Sequence, residues 1–164
     1  MQLRRAHDED VPSICSIYNL EVQTGTATFD TEPVSVEARR RWLAQHDRPA
    51  HPVFVVDEAG EVIGFGSLSS WSERRGYDRS AEVSVYVHHA HRGRGVGRLL
   101  LQALIEAGAE AGLLGLMARI TSDSDASRRL HRSLGFVHSG TLHRIGEKFG
   151  RVLDVELHQY HYPR

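Results

Sequence analysis

A chain of 164 residues with 20 basic and 21 acidic side chains is one domain's worth of protein, long enough to bury a core without metal or disulfide staples. The near-zero net charge gives no sign of nucleic acid or of an anionic membrane, so neither partner is expected. The one cysteine, Cys15, allows no disulfide within the chain; with a charged "MQLRRAHDED" start and no apolar run of membrane-spanning length, the expected setting is the cytoplasm.

Residues 2–6 read as a short first strand. In "DEDVPSICSIYNLEVQ" the apolar Val11, Ile14, Ile17, Tyr18 and Val22 recur at helical spacing behind a run of acids, which predicts a helix. "TGTATFDTEP" is a loop by its turn residues, and Ser35 is placed to cap a helix over "VEARRRWLAQH". "HPVFVVD" and "VIGFGSLSSW" read as a hairpin that turns at "EAGE". After the polar loop "SERRGYDRS", "AEVSVYV" alternates strictly, with Val83, Val85 and Val87 on one face and Glu82, Ser84 and Tyr86 on the other. A helix is expected from about Gly95 to Ala111, then a strand in "LLGLMARI", then a second helix in "SDSDASRRLHRSLGF" that stops at Gly135. "FVHSGTLHRI" and "RVLDVELHQYHY" close the pattern as two strands joined by "GEKFG". The expected fold class is α+β: a single domain over residues 1–164, with a mixed, mainly antiparallel sheet flanked by helices.

Three glycines fall at 93, 95 and 97 in "RGRGVG", between the alternating strand and a leucine-rich helix. Glycine costs backbone entropy, so their clustering implies that something approaches the backbone closely. The pattern is no dinucleotide fingerprint: Arg98 stands where the third glycine belongs, and the following strand ends in Thr121 rather than an acid. It is no nucleoside-triphosphate loop either, because no lysine follows Gly97. Basic residues and glycines ahead of a helix N-terminus do suit a phosphate, since the unpaired N–H groups and the helix dipole favour an anion. Arg92, Gly93, Arg94, Gly95, Val96, Gly97 and Arg98 are the candidate phosphate-binding residues.

"RGRGVG" resembles the Q/R-x-x-G-x-G/A signature of the GNAT family of N-acetyltransferases, where it binds the pyrophosphate of acetyl-CoA. A closer resemblance, to the phosphinothricin acetyltransferase subfamily, covers nearly the whole chain in "IYNLEVQTGTATFDTEP", "AEVSVYVHHAHRGRGVGRLLLQAL", "ASRRLHRSLGF" and "GTLHRIGEKFGRVLDV". The resemblance implies a GNAT-type sheet, acetyl-CoA as co-substrate with no metal, and a homodimer. It implies transfer to the α-amino group of a small molecule of the phosphinothricin, methionine sulfoximine or methionine sulfone type, directly within a ternary complex. It further implies that the pantetheine pairs as an added strand with the backbone of Val85, Tyr86 and Val87, and that Ser124 and Ser133 meet the cofactor.

Acetyl transfer from a thioester to an amine needs a proton acceptor and a proton donor for the leaving thiolate. Glu82 is the candidate base: it stands on the polar face of a valine-rich strand, where apolar packing raises a carboxyl pKa, and the subfamily's proposed base is a glutamate in this strand. The family often carries a tyrosine in its last helix as the donor, in an "LY…LGF" context. Here that position reads Leu130-His131 ahead of "RSLGF". His131 is the candidate acid, with a packing or capping role equally open. Cys15 sits on an ordinary helix with no partner and reads as a small buried hydrophobe, not a nucleophile.

The loop before the glutamate strand carries Arg74, Arg75, Tyr77 and Arg79, and arginines grip a carboxylate or phosphinate bidentately. By resemblance, Phe29 is an apolar wall for the substrate side chain. Val152 replaces the subfamily's usual tryptophan and His143 its usual arginine, so the acceptor's identity stays open. Two other readings stand beside the amino-acid acceptor. One is a protein N-terminus or a polyamine, although a polyamine would want acids where this loop has arginines. The other is a CoA-binding module without catalysis, which the presence of Glu82 opposes.

Overall fold

The structure, a computed structural model, describes residues 1–163. Seven strands form one sheet: β1 (Gln2–Arg5), β2 (Val53–Glu58), β3 (Glu61–Ser70), β4 (Ser80–Val87), β5 (Gly115–Thr121), β6 (Val137–Lys148) and β7 (Arg151–His161). Their order is β1-β2-β3-β4-β5-β7-β6. Among the described residues, four α-helices flank the sheet: α1 (Val11–Thr24), α2 (Val36–Ala44), α3 (Val96–Glu110) and α4 (Asp125–Ser133). All neighbouring strands are antiparallel except β4 and β5. This is the mixed, mainly antiparallel sheet expected from the sequence.

Local chemistry sets the boundaries. The Ser35 hydroxyl accepts the Ala38 N–H at 3.1 Å and caps α2 as expected. Ala59 and Gly60 both take positive φ, as a two-residue hairpin turn between β2 and β3 requires. Phe149 and Gly150 do the same between β6 and β7. The expected five-residue connection "GEKFG" is therefore a two-residue turn, with Gly146, Glu147 and Lys148 still in β6 and paired to β7.

The strict alternation of β4 sorts its side chains to two layers. Val83 and Val85 pack beneath Leu101 and Leu104 of α3. Tyr86 faces the opposite layer, with Tyr18 of α1, Trp42 of α2 and Phe65 of β3. Leu100, Leu101 and Leu104 are fully buried, and each such side chain stabilises the fold by about 1.5–3 kcal/mol.

One irregularity positions everything that follows. β4 and β5 pair only where Ser80, Ala81 and Glu82 meet Gly115, Leu116 and Met117. β4 continues to Val87, while β5 turns its whole length to β7. From Val83 onward, the edge of β4 that faces β5 has no strand beside it. The sheet opens there as a wedge with Glu82 at its apex.

Candidate active site

A groove of about 400 Å³ follows the open edge of β4 at Val85, Tyr86 and Val87 and reaches the N-terminus of α3. Ser124, Ser127 and Leu130 form its other wall. Gly93 and Gly95 have φ of +74° and +86°, a left-handed conformation that favours glycine, and a Cβ on either would meet no protein atom. The space before them is open. Gly95 is the N-cap of α3, so the N–H groups of the first helical turn face that space without carbonyl partners. Gly97 serves packing instead: a Cβ there would lie 3.2 Å from Leu130 Cδ2, so its absence lets α3 approach α4.

Arg92 and Arg98 line the groove. Arg94 does not. Its Nη2 turns away to both carboxylate oxygens of Glu58, at 2.9 and 3.0 Å. Ser133 also lies outside the groove wall: its hydroxyl donates to the Leu130 carbonyl at 2.7 Å and accepts from Arg98 at 3.2 Å. The side chains of Arg94 and Ser133 thus stand apart from the groove, and Ser133 supports Arg98. A long groove with an unpaired strand edge at one end and free N–H groups at the other fits a pantetheine arm and a pyrophosphate.

The wedge itself holds a cavity of about 250 Å³ that shares Ala27, Val85 and Tyr86 with the groove. Glu82, Phe29, Arg119 and His131 line it. Glu82 is about a quarter exposed, and burial raises its pKa above the ordinary value, opposed by Arg119 at 3.5 Å. Arg119 also lies over the Trp71 ring, 4.9 Å from its centroid.

His131 is 5 % exposed and meets the Phe136 ring edge to face. Its Nδ1 lies 2.8 Å from the Ser127 carbonyl, which can only accept, so Nδ1 carries the proton and Nε2 is an acceptor. Burial lowers its pKa, partly offset by that hydrogen bond. A neutral ring with this tautomer has no proton to give to a thiolate. The donor role expected of His131 does not follow from its geometry; the ring presents a lone pair.

Phe29 lines the cavity. Its ring fills the space in which a Gly146 Cβ would stand. The loop that carries it is tied down at several points. Lys148 Nζ donates to the carbonyls of Thr28 and Glu21 at 2.8 and 3.3 Å, Ala27 N–H donates to Glu21 Oε1 at 3.1 Å, and Thr26 Oγ1 donates to Asp123 at 2.9 Å. The loop arginines are elsewhere. Arg74, Arg75 and Arg79 are exposed and Arg79 Nε donates to the Gly112 carbonyl. Tyr77 lines a separate hollow with Trp71 and Leu114. The structure brings none of the four into the wedge, so the expected substrate clamp is not assembled there.

Around the wedge, two residues were missed from sequence. Arg119 shares the Glu82 face because Glu82 pairs with Met117 and a strand repeats every two residues; parity could have found it once the register was known. Lys148 lies in β6, 120 residues from Thr28, and no local pattern signals that contact. Among the described residues there is no cluster of three or more metal-ligating side chains and no helix long and apolar enough to cross a membrane.

The acetyltransferase (GNAT) family profile matches residues 14–136. The chain is 42% identical over 158 residues to an L-methionine sulfoximine/L-methionine sulfone acetyltransferase of Pseudomonas aeruginosa, covering 96% of this chain and 92% of that one. It is 39% identical to a phosphinothricin N-acetyltransferase of Streptomyces coelicolor, covering 94% and 92%. Its fold superposes with a TM-score of 0.95 on an acetyltransferase of Salmonella typhimurium solved with its cofactor acetyl-CoA, at 37% identity and covering 98% and 92% of the two chains.

Proposed function

The chain belongs to the acetyltransferase (GNAT) family, and on that premise we propose that it acetylates the α-amino group of a small amino acid or analogue, of the methionine sulfone, methionine sulfoximine or phosphinothricin type. Acetyl-CoA is the acetyl donor, as in the related acetyltransferase solved with it. One observation carries the reading: the groove and the cavity meet at Ala27, Val85 and Tyr86, with Glu82 in the cavity wall beyond that junction. A thioester laid along β4 and an amine entering the wedge would meet there.

The residues divide the work. An α-ammonium has a pKa of about 8 and is mostly protonated at neutral pH. Glu82, with its raised pKa, takes one proton from it, directly or through water. The neutral nitrogen attacks the thioester carbon; a C–N bond forms, the C–S bond breaks, and the nitrogen's surplus proton ends on the sulfur. His131 stays neutral and lends an acceptor to the cavity wall. The backbone edge of Val85–Val87 and the Gly93–Arg98 turn hold the donor, with Arg98 facing its phosphates and Arg92 in the groove wall, paired there with Glu21 at 3.0 Å. Phe29 bounds the acceptor side chain.

The reading extends to one catalytic domain over residues 1–164, to a homodimer and to the cytoplasm. The dimer is supported by exposed apolar side chains along the β6–β7 hairpin, and the cytoplasm by the lone buried thiol of Cys15. Release of free CoA, followed against a panel of amines, tests the function. Turnover of α-amino acids carrying a polar or acidic side-chain end is expected, with spermidine and peptide N-termini inert. Turnover of a polyamine or a peptide with no α-amino acid accepted would overturn the proposal.

A further inference from the structure

A second cavity, of about 290 Å³, lies against the same sheet face beneath α1 and α2. Ser84 and Tyr86 of β4 line both this cavity and the wedge, so the two share a wall. On its far side stand Tyr18 of α1 and Arg39 and Trp42 of α2, with Ser67 and Ser69 of β3 on its floor.

Arg39 is 7 % exposed. Its guanidinium is sandwiched between two rings, 4.1 Å from the Tyr18 centroid and 4.6 Å from that of Trp42. Such stacking satisfies the two faces of the ion and leaves its edge untouched. All five N–H donors of a guanidinium lie in that edge. None of them has a hydrogen-bond or ion-pair partner among the described residues, and the buried Nε is unpaired outright. A buried cation without an anion is costly unless something else supplies one.

The cavity has other unspent donors. Ser67 and Ser84 stand opposite one another across β3 and β4, and neither hydroxyl has a hydrogen-bond partner among the described residues. Ser69 is already committed. His46 Nδ1 must donate to the Trp42 carbonyl at 2.7 Å, so His46 Nε2 accepts the Ser69 hydroxyl at 2.9 Å. One carboxylate, Asp30, shares the wall; it takes the Tyr18 hydroxyl and forms no ion pair with Arg39. The wedge's own arginine, Arg119, is held by Glu82.

We infer that Arg39, Ser67 and Ser84 form an oxyanion subsite that takes the negatively charged oxygen group of the acceptor while its amine lies at Glu82. The inference rests on the amino-acid reading of the wedge. Glu82 pairs with Ser69, so Ser84 lies two residues along β4, about 7 Å away, and Ser67 about 8 Å away on the diagonal across β3; a molecule anchored at Glu82 spans that distance to present a carboxylate or a phosphinate to this donor set. Two sources carry that chemistry, the α-carboxylate and an acidic group at the end of the side chain.

Arg39→Met keeps length and apolar bulk and removes the fork of donors. Calorimetry with the CoA-bound enzyme, using L-methionine sulfone, L-phosphinothricin and L-methioninamide, reads the effect. Acceptor Kd should rise about 10- to 150-fold, the range for losing hydrogen bonds to a charged group, with CoA affinity and melting temperature maintained. If the α-carboxylate is bound, both acids weaken and methioninamide, weak already, does not change. If the side-chain acid is bound, only phosphinothricin weakens. Ser67→Ala leaves the stacked cation in place and should weaken the same acceptors several-fold, which keeps the test open should Arg39→Met fold poorly. Unchanged Kd for all three ligands in both variants overturns the inference, as does a lower melting temperature for Arg39→Met with every Kd unchanged. A wild-type enzyme that acetylates no amino acid would sink the proposed function instead. The subsite would then still be read by inorganic phosphate, which should raise the melting temperature of wild type and not of Arg39→Met.

Discussion

Glu82 stands between two opposed influences, burial that raises its pKa and the Arg119 guanidinium that lowers it. The native state therefore holds this proton more tightly than the unfolded chain. By linkage, the carboxyl's contribution to stability is present below the ordinary value of 4.5 and lost as pH rises through the folded value. At pH 7 the ionised group is a net cost to the fold. Glu82→Gln should thus melt no lower than wild type at pH 7, yet lose about 100- to 10,000-fold in kcat/KM, the usual span for a general base. The loss should shrink at higher pH, where more amine arrives deprotonated. A lower melting temperature with full activity would make Glu82 structural. Arg119→Met supplies the counter-test. Without that cation the Glu82 pKa moves further up, so the acid limb of the kcat/KM profile should shift to higher pH. An unmoved limb would show that another group sets it.

At the scale of elements, two glycines separate the halves of the site. Gly95 caps α3 at a positive φ with open space before it, whereas Gly146 lies in β6 with the Phe29 ring against it. Gly95→Ala strains the backbone by about 1 kcal/mol, which costs about 2–4 °C in a domain of this size, and its methyl obstructs the phosphate turn. CoA affinity should fall at least tenfold while acceptor KM holds. Gly146→Ala should do the reverse, displacing Phe29 and raising acceptor KM with CoA affinity unchanged. Both effects are read by titrating CoA and acceptor separately, and the same pattern in both variants would refute the division. The cofactor half of the site was legible in the sequence because its signals are local: alternation in β4, glycines ahead of α3, a capped helix. The acceptor half was not. Arg119, Lys148 and Arg39 reach it from β5, β6 and α2, and contacts across that much chain leave no periodic trace. The loop arginines at 74, 75 and 79 misled for the complementary reason: a basic cluster near a catalytic strand in sequence need not face it in space.

The same long-range tie links the site to the outside of the molecule. Five of the nine exposed large hydrophobic residues among the described residues, Val137, Leu142, Ile145, Phe149 and Val152, belong to the β6–β7 hairpin. The proposed dimer would use this exposed apolar surface, closed by the two-fold symmetry commonest in small enzymes. Lys148 lies under the Phe149 ring, 5.2 Å from its centroid, while its ammonium holds the Thr28 carbonyl beside Phe29. Ordering the hairpin tip in a dimer would therefore also order the acceptor wall. Light scattering at micromolar concentration should give twice the mass of the chain. A double Ile145→Glu, Phe149→Glu variant should give a monomer, because a carboxylate cannot be buried unpaired in an apolar contact. That monomer should keep most of the CoA affinity of wild type, since no residue of the hairpin itself lines the groove along β4 and α3, and lose affinity for the acceptor. A wild-type monomer removes the dimer outright. A monomeric variant with unchanged acceptor KM would leave the dimer standing and break its link to the loop at Thr28.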